Sequence, residues 1–245
     1  MIKWVRHFLL VTVLVVVAGC APDAPLPVEQ PPPEVVALHI TPAVAHWLPM
    51  VAECAADIPN FGVSVQVLPR GELSLAEADL ILRLGERLDD DPFVAVMGVE
   101  EMVILAGADV PVERIILSDL QAIYAGTLTD WGDAAQETGR GQLVIPLSYP
   151  EGHELEILFS RSYLADSSIL AEPQVFSTLD FLEKLLELHP GAIAYALASQ
   201  LPEGARILEV TPQDQVASLH YVLAVTAEEP GGELKQLLLC LQNVQ

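Results

Sequence analysis

The stretch LSDLQAIYAGTLTDW, from Leu117 to Trp131, carries several local signals that agree with one another. Ser118 can cap a helix, and Gln121 stands three residues later, as in a capping box. The residues that give this helix one apolar face are Leu120, Ile123 and Tyr124. Gly126 supplies a left-handed stop. The stretch therefore predicts a brief helix, a sharp exit and an aromatic anchor at Trp131.

The same stretch resembles a motif of the phosphate-binding proteins of ABC transporters, L-[ST]-x-x-x-[IL]-[FY]-x-G-x-[IL]-x-x-W. The matching residues are Leu117, Ser118, Ile123, Tyr124, Gly126, Leu128 and Trp131. Asp130 stands where the family commonly has Asn. A second similarity lies at residues 189–195, where HPGAIAY departs at two positions from the family's Asn-Pro-Gly-Ala-Ile-Gly-Tyr. The resemblance covers residues 35–245 and is most diffuse in their first third.

This resemblance implies an α/β chain with the two-lobed fold of a type II periplasmic binding protein, in which each lobe is a mixed sheet flanked by helices and two strands form the hinge. Predicted strands that alternate with helices independently indicate a mostly parallel sheet. We expect residues 35–98 with 198–245 to form lobe 1 and residues 99–197 to form lobe 2. Two separate strands, 93–97 and 102–106, are expected to carry the chain between the lobes.

The N-terminus has the three-part order of a secretory signal. Lys3 and Arg6 precede an apolar run, and small residues stand directly before Cys20, which resembles a bacterial lipobox. Residues 1–19 are therefore predicted to be a lipoprotein signal peptide, with a lipid on Cys20 that anchors an exported protein to the cell membrane. A plain signal peptide or a short membrane anchor is the alternative. Residues 20–34 hold six prolines and read as an extended tether.

The charge balance excludes some partners. With 34 acidic and 11 basic residues, the formal charge is −23, which argues against nucleic acid and against docking on anionic lipid through a basic face. We expect a monomer. Cys54 and Cys240 are predicted either to form a disulfide, which export permits, or to be buried free thiols.

Ligands of open α/β sheets bind beyond the carboxyl ends of strands, where free amides and the helix dipole favour an anion. Thr41 follows the predicted strand 35–40, and the family contacts phosphate with a hydroxyl-rich turn at this place; a plain helix cap is the alternative. Arg83, near the end of the predicted strand 78–84, could pair with an oxyanion or lie on the solvent face.

A third junction supplies the other candidate ligand-binding residues, which are Ser148, Tyr149, Gly152 and His153. The family typically carries Arg and then Ser-Gly-Thr here, whereas this chain has Glu151, Gly152 and His153 in the place of that trio. A carboxylate about 4 Å from phosphate costs ~4 kcal/mol per charge pair at an effective dielectric near 20. Either Glu151 points away from the site or the ligand is not phosphate.

We expect no catalytic site, no cofactor and no metal site. The sequence has no nucleophile motif of the G-x-S-x-G kind, no P-loop and no dinucleotide fingerprint, and its six histidines are scattered. The first hypothesis is a solute-binding protein of an ABC importer that closes on phosphate or another small oxyanion and then docks on a permease. The second is a surface lipoprotein of the same fold that acts as a sensor or partner-docking module without transport. An exported enzyme is the third.

Overall fold

A mixed sheet of ten strands runs through the part of the chain that the structure describes. The computed structural model describes residues 32–134, 141–165, 169–203 and 205–243. The predicted signal peptide, Cys20 and most of the tether lie outside these residues and stay predictions. The strands are β1 (Glu34–Ile40), β2 (Phe61–Val67), β3 (Leu80–Gly85), β4 (Phe93–Ala106), β5 (Arg114–Ile116), β6 (Ile145–Ser148), β7 (Gln174–Val175), β8 (Ala192–Leu197), β9 (Arg206–Thr211) and β10 (Leu219–Thr226).

Helices connect most of these strands. The α-helices are α1 (Leu48–Ala56), α2 (Leu117–Tyr124), α3 (Trp131–Ala134), α4 (Glu154–Tyr163), α5 (Leu179–Leu188) and α6 (Gly232–Asn243). The 3₁₀ turns are η1 (Pro42–Trp47), η2 (Arg70–Glu72), η3 (Ala198–Gln200) and η4 (Gln213–Gln215). Besides the brief helix after Leu117, which is α2, the apolar patterns of the sequence predict helices at 44–56, 152–164, 178–188 and 232–242, which correspond to η1 with α1, to α4, to α5 and to α6. The short helix α3 and the short strands β5 and β7 were not predicted.

The strand order is β2-β1-β3-β10-β4-β8-β6-β7, with β9 paired to both β4 and β5. Neighbours are parallel in the pairs β1–β2, β1–β3, β6–β8, β6–β7 and β5–β9, and antiparallel wherever β4 or β10 takes part. The α/β class is therefore confirmed, and the sheet is mixed.

Strand β4 joins two sections of this sheet. From Phe93 to Glu101 it pairs with β10, and from Met102 to Ala106 it pairs with β8. We call β2, β1, β3, β10, the first part of β4 and the turns η1 and η2 with the residues beside them the first section. The remaining strands, with α4 and η3, are the second section. The prediction of two separate strands here is wrong, because β10 supplies a partner for each residue from Gly98 to Glu101, and β4 continues through a register shift that leaves Met97 without a partner in β10.

The first helical region is divided as its proline predicts. The chain leaves β1 at Ile40, passes Thr41 and makes the 3₁₀ turn η1 before α1 begins at Leu48. Pro49 stands in the first turn of α1, where its missing N–H costs no hydrogen bond. Cys54 of α1 is disulfide-bonded to Cys240 of α6, so this pair is not two free thiols.

The stretch from Leu117 to Trp131 packs the second section. Tyr124 is fully buried, and its hydroxyl donates to the carbonyl oxygen of Leu147 at 3.0 Å. Gly126 has a φ of +75°, as a left-handed helix stop requires. The indole Nε1 of Trp131 donates to the carbonyl oxygen of Gly191 at 2.8 Å. This bond joins the two stretches on which the family resemblance rests.

The predicted capping box in this stretch is wrong. Ile116 is the N-cap of α2, and no side chain caps the helix. Ser118 lies inside the first turn, and the side chain of Gln121 donates to the carbonyl oxygen of Tyr163 at 2.9 Å. Tertiary packing against α4 therefore uses a side chain that the local pattern assigned to the helix end.

The described residues from Pro33 onward form one compact unit. The division of the body into lobes at residues 98/99 and 197/198 stays a prediction. Within the described ranges, no helix is both long and apolar enough to cross a membrane.

Candidate oxyanion site

The ends of three strands, two from the first section and one from the second, come together at Glu154. Thr41 follows the end of β1, Leu84 stands next to the last residue of β3, and β6 leads through a short turn into α4. The first residue of α4 is Glu154, whose side chain is buried against Thr41 and Leu84. The carboxyl ends of parallel strands from both sections therefore converge, which is where ligands of such sheets bind.

Three donors from the first section hold the Glu154 carboxylate. Its Oε2 atom accepts a hydrogen bond from Thr41 Oγ1 at 2.5 Å and one from the backbone N–H of Leu84 at 3.2 Å. Its Oε1 atom accepts from Arg70 Nη1 at 3.1 Å. Thr41 is fully buried and Glu154 is 2% exposed. The site therefore coordinates an oxyanion, and that oxyanion belongs to the chain itself.

The backbone beside the site makes room for Arg70. Arg70 belongs to η2, and its Nη1 atom also donates to the carbonyl oxygen of Leu84 at 3.0 Å. Gly85 has a φ of +114°, and a Cβ there would lie 3.2 Å from this nitrogen. A side chain at position 85 would strain the backbone and crowd the guanidinium, so glycine permits the cation to reach Glu154.

Burial dominates the electrostatics of this carboxylate. Loss of hydration raises the pKa of Glu154, and the hydrogen bond from Thr41, the charge of Arg70, the amide of Leu84 and the charge of Arg83 offset that rise only in part. Glu154 also stands in the first turn of α4, where the helix dipole favours a negative charge.

His153 is the N-cap of α4. Its Nδ1 atom accepts a hydrogen bond from the backbone N–H of Leu155 at 3.2 Å, and its ring stacks on Tyr149 with 4.4 Å between centroids. Burial lowers the pKa of His153 to about 4, so the ring is neutral at pH 7 and can accept this bond. His153 thus caps the helix that presents Glu154.

The structure places one of the six candidate ligand residues, Thr41, in this site. Arg83 is buried elsewhere: Nη1 donates to the carbonyl oxygen of Glu86 at 2.8 Å, and Nη2 pairs with Asp91. Arg70 is therefore the cation that contacts the anion, and a ligand role for Arg83 stays a prediction.

The other candidates line the turn before α4 without touching Glu154's donors. Ser148 Oγ bonds to the Tyr195 hydroxyl at 2.8 Å, and Tyr149 packs against Phe176 with 4.3 Å between ring centroids. Gly152 has a φ of +79° and is exposed. A cavity of about 490 Å³ is lined by Ser148, Tyr149 and Glu151 among others. Neither Glu154 nor any of its three donor residues lines this cavity.

Sequence reasoning missed Arg70 and Glu154. Glu154 carried one usable signal, because an acid directly after a helix cap is typical of a first turn. Arg70 carried none, since it lies in the connection between β2 and β3, 84 positions from its partner. The spacing of Glu151 and Glu154 would let the two carboxylates share a helix face, but Glu151 is exposed and precedes α4, so they do not.

A second buried carboxylate joins the sections near the end of β10's pairing with β4. Glu100 Oε1 accepts from His46 Nε2 at 2.8 Å and from Trp47 Nε1 at 3.2 Å, and Oε2 accepts from Ser199 Oγ at 2.6 Å. His46 also contacts the side chain of Gln200. This network connects η1, β4 and η3.

The described residues give little support for a metal site or for a second anion site. They contain no group of three or more His, Cys, Asp or Glu side chains that could hold a metal ion. A cavity of about 520 Å³ lies along β4, β5 and β9, but its charged lining has both signs, and Arg114 and Glu209 pair with each other there at 2.9 Å.

Solved structures with similar folds include an ABC-type phosphate transport receptor from Vibrio cholerae, with a TM-score of 0.70, 15% identity, and coverage of 85% of this chain and 93% of that one. A putative phosphate ABC transporter substrate-binding protein from Clostridium perfringens, with bound phosphate, gives 0.69 at 13% identity over the same shares. The chain has the type II periplasmic binding protein fold. The reduced OxyR regulatory domain from Pseudomonas aeruginosa shares this fold, with a TM-score of 0.60 at 14% identity over 86% and 98% of the two chains.

The expected phosphate-binding-protein-like fold is thereby confirmed. No family model and no curated protein sequence matches the chain. At these low identities the type II periplasmic binding protein fold is what the comparisons establish, and the function has to be argued from the site.

Proposed function

We propose that this chain is a non-enzymatic binding protein of the cell exterior, anchored by a lipid on Cys20, that acts as a sensor or partner-docking module and does not carry free phosphate. The observation that carries this proposal is the position of Glu154. Its carboxylate takes the hydrogen bonds of Thr41 Oγ1, the Leu84 amide and Arg70. The donors that a free oxyanion would need at this junction are already used.

A free ligand would face a tethered competitor. A group attached to the same chain has an effective concentration of roughly millimolar or more, so a solute has to exceed that level or bind much more tightly. If the Glu154 carboxylate stayed in place, charge repulsion would destabilise a phosphate about 4 Å away by ~4 kcal/mol per charge pair. That cost corresponds to about three decades in affinity.

The fold is compatible with such a role. The OxyR structure is described as a regulatory domain, so this fold is also found outside transport receptors. Buried side chains already link the two sheet sections at Glu154 and again at Glu100. A module held closed by its own side chains presents one constant surface to a partner.

Calorimetry and solution scattering on the wild-type protein test this proposal. Phosphate, sulfate and acetate are titrated at constant ionic strength, and the radius of gyration is measured with and without each. We expect no binding stronger than about millimolar and no change in the radius of gyration. Submillimolar binding with compaction would contradict the proposal.

The second candidate function is the solute-binding subunit of an ABC importer. Its support is the similarity to phosphate transport receptors and the converging strand ends at Thr41 and α4. In that case Glu154 turns away when the oxyanion arrives, and an ABC permease co-purifies with the protein only in the presence of that oxyanion. The same calorimetry separates the two candidates.

A further inference from the structure

The donors around Glu154 have the composition of a site for a free ligand. They come from three separate segments of the first section, namely the end of β1, η2 and the end of β3, whereas the acceptor comes from α4. One donor is a hydroxyl, one a backbone amide and one a guanidinium. A cation with two neutral donors around one small anion is a common way to bind a carboxylate or phosphate.

Thr41 is directed at the anion and not at its own helix. It stands at the cap position of η1, yet its side chain makes no capping hydrogen bond there. Its hydroxyl instead donates to Glu154 at 2.5 Å from a fully buried position. Without an anion, this hydroxyl would be buried with its donor capacity unmet, which costs about 1–3 kcal/mol.

We propose that Thr41, the Leu84 amide and Arg70 form a latent binding site for a small oxyanion, and that the Glu154 carboxylate is its built-in ligand. Residue 154 therefore sets what the site accepts. With glutamate the site is filled from within, and with a shorter residue it takes a free carboxylate such as formate or acetate, or a tetrahedral oxyanion such as phosphate.

The size of the vacated space ranks these ligands. Glu154→Ala removes the side chain beyond Cβ, which leaves room for a group of the size of formate or acetate between the same three donors. Phosphate is larger and needs the two sections to separate slightly. We therefore expect formate and acetate to bind Glu154→Ala at least as tightly as phosphate does.

The experiment measures thermal stability and calorimetric binding of the full chain against formate, acetate and phosphate, with chloride at matched ionic strength as reference. Wild type is expected to respond to none of them below about 1 mM, because its tethered carboxylate has a comparable effective concentration. Glu154→Ala is expected to bind formate with a dissociation constant in roughly the millimolar range, and its melting temperature rises accordingly.

Four matched variants sharpen the result. Glu151→Ala removes an exposed carboxylate three positions away and is expected to behave as wild type. Glu154→Gln keeps the side chain's volume, so the site stays filled and formate has no effect. The double variants Glu154→Ala/Thr41→Val and Glu154→Ala/Arg70→Met lose a donor and are expected to bind formate at least about tenfold more weakly.

Each outcome of this experiment either supports or overturns the latent site. A folded Glu154→Ala that responds to no oxyanion overturns the latent site, and so does a response that persists in both double variants. If Glu154→Ala does not fold alone, refolding driven by formate but not by chloride supports the proposal, and refolding in neither or equally in both overturns it. This inference rests on the site of the proposed function, but the two fail separately. Tight phosphate binding by the wild-type protein would overturn the proposed function, whereas the latent site is tested by the response of Glu154→Ala to oxyanions.

Discussion

Glu100 and Glu154 are both buried glutamates that join different parts of the sheet, and each accepts three hydrogen bonds. Their carboxyl pKa values nevertheless move in opposite directions. At Glu100, burial raises the pKa, but hydrogen bonds from His46, Ser199 and Trp47 outweigh it, so the net pKa is lowered. At Glu154, burial is the larger effect and the net pKa is raised.

The number of hydrogen-bond donors therefore does not determine in which direction the pKa of a buried carboxyl group moves. Glu154 is 2% exposed and Glu100 is 7% exposed, so Glu154 loses more hydration for the same count of hydrogen bonds. The ionised form of Glu100 is stabilised by its surroundings, as expected of a structural joint. The ionised form of Glu154 is stabilised less completely, because burial outweighs the contacts that favour it.

The largest effect is expected from Glu100→Ala. The substitution leaves His46, the Trp47 indole and Ser199 without their common acceptor, and we expect the free energy of unfolding to fall by about 3 kcal/mol. Urea denaturation at pH 7 measures it. Glu101→Ala is the control, since Glu101 is the exposed neighbour on the same strand.

Glu154→Ala is expected to cost less, about 1–2 kcal/mol in the same denaturation experiment. The variant loses three hydrogen bonds, but it also removes the unfavourable free energy of burying a carboxylate in the folded protein. Glu151→Ala should change the free energy of unfolding by under about 0.5 kcal/mol. A larger loss for Glu154→Ala than for Glu100→Ala would reverse the comparison.

The pH dependence of stability should have opposite signs at the two sites. Glu154 has a folded pKa above the ordinary 4.5, so its contribution is fully present below pH 4.5 and is lost as the pH rises through the raised pKa. Glu100 has a lowered pKa, so its contribution is present above pH 4.5 and is lost as the pH falls through the lowered pKa. Differences in unfolding free energy between wild type and Glu154→Gln, and between wild type and Glu100→Gln, measured from pH 3 to 8, should therefore slope in opposite directions.

The smallest effect concerns the cap beside Glu154. Because the pKa of His153 is lowered from 6.5 to about 4, its contribution is complete above pH 6.5 and is lost as the pH falls through about 4. His153→Asn keeps a capping side chain, so we expect a change below about 1 kcal/mol at pH 7 and a weaker acid dependence between pH 6.5 and 4. An unchanged acid dependence would show that the pKa of His153 is not lowered in the folded protein.

Local patterns predicted the architecture well because each element carries its own signal. Pro49 divides the first helix and Gly126 ends α2. Thr178, a residue type that favours the N-cap position, caps α5 by accepting from the Phe181 amide at 3.3 Å. The continuity of β4 was not predictable, since it depends on partners that β10 supplies from more than a hundred residues away.

The strand-to-helix junctions at Thr41 and before α4 were predicted as parts of a ligand site. Glu154 joins them in the structure, and a ligand role for their residues stays a prediction. Arg83 was the predicted cation because it lies near the end of a predicted strand, whereas Arg70 reaches the anion from a turn with no motif. Which side chain crosses a junction depends on rotamers and burial, and no local pattern encodes these.

The central claim is that the Glu154 carboxylate itself occupies the oxyanion site. A crystal structure of the wild-type protein grown at neutral pH in phosphate buffer tests it most directly. The account predicts Glu154 Oε2 within hydrogen-bond distance of Thr41 Oγ1 and of the Leu84 amide, with no phosphate between them. A phosphate bound to Thr41 and Arg70, with the Glu154 side chain turned away, would contradict it.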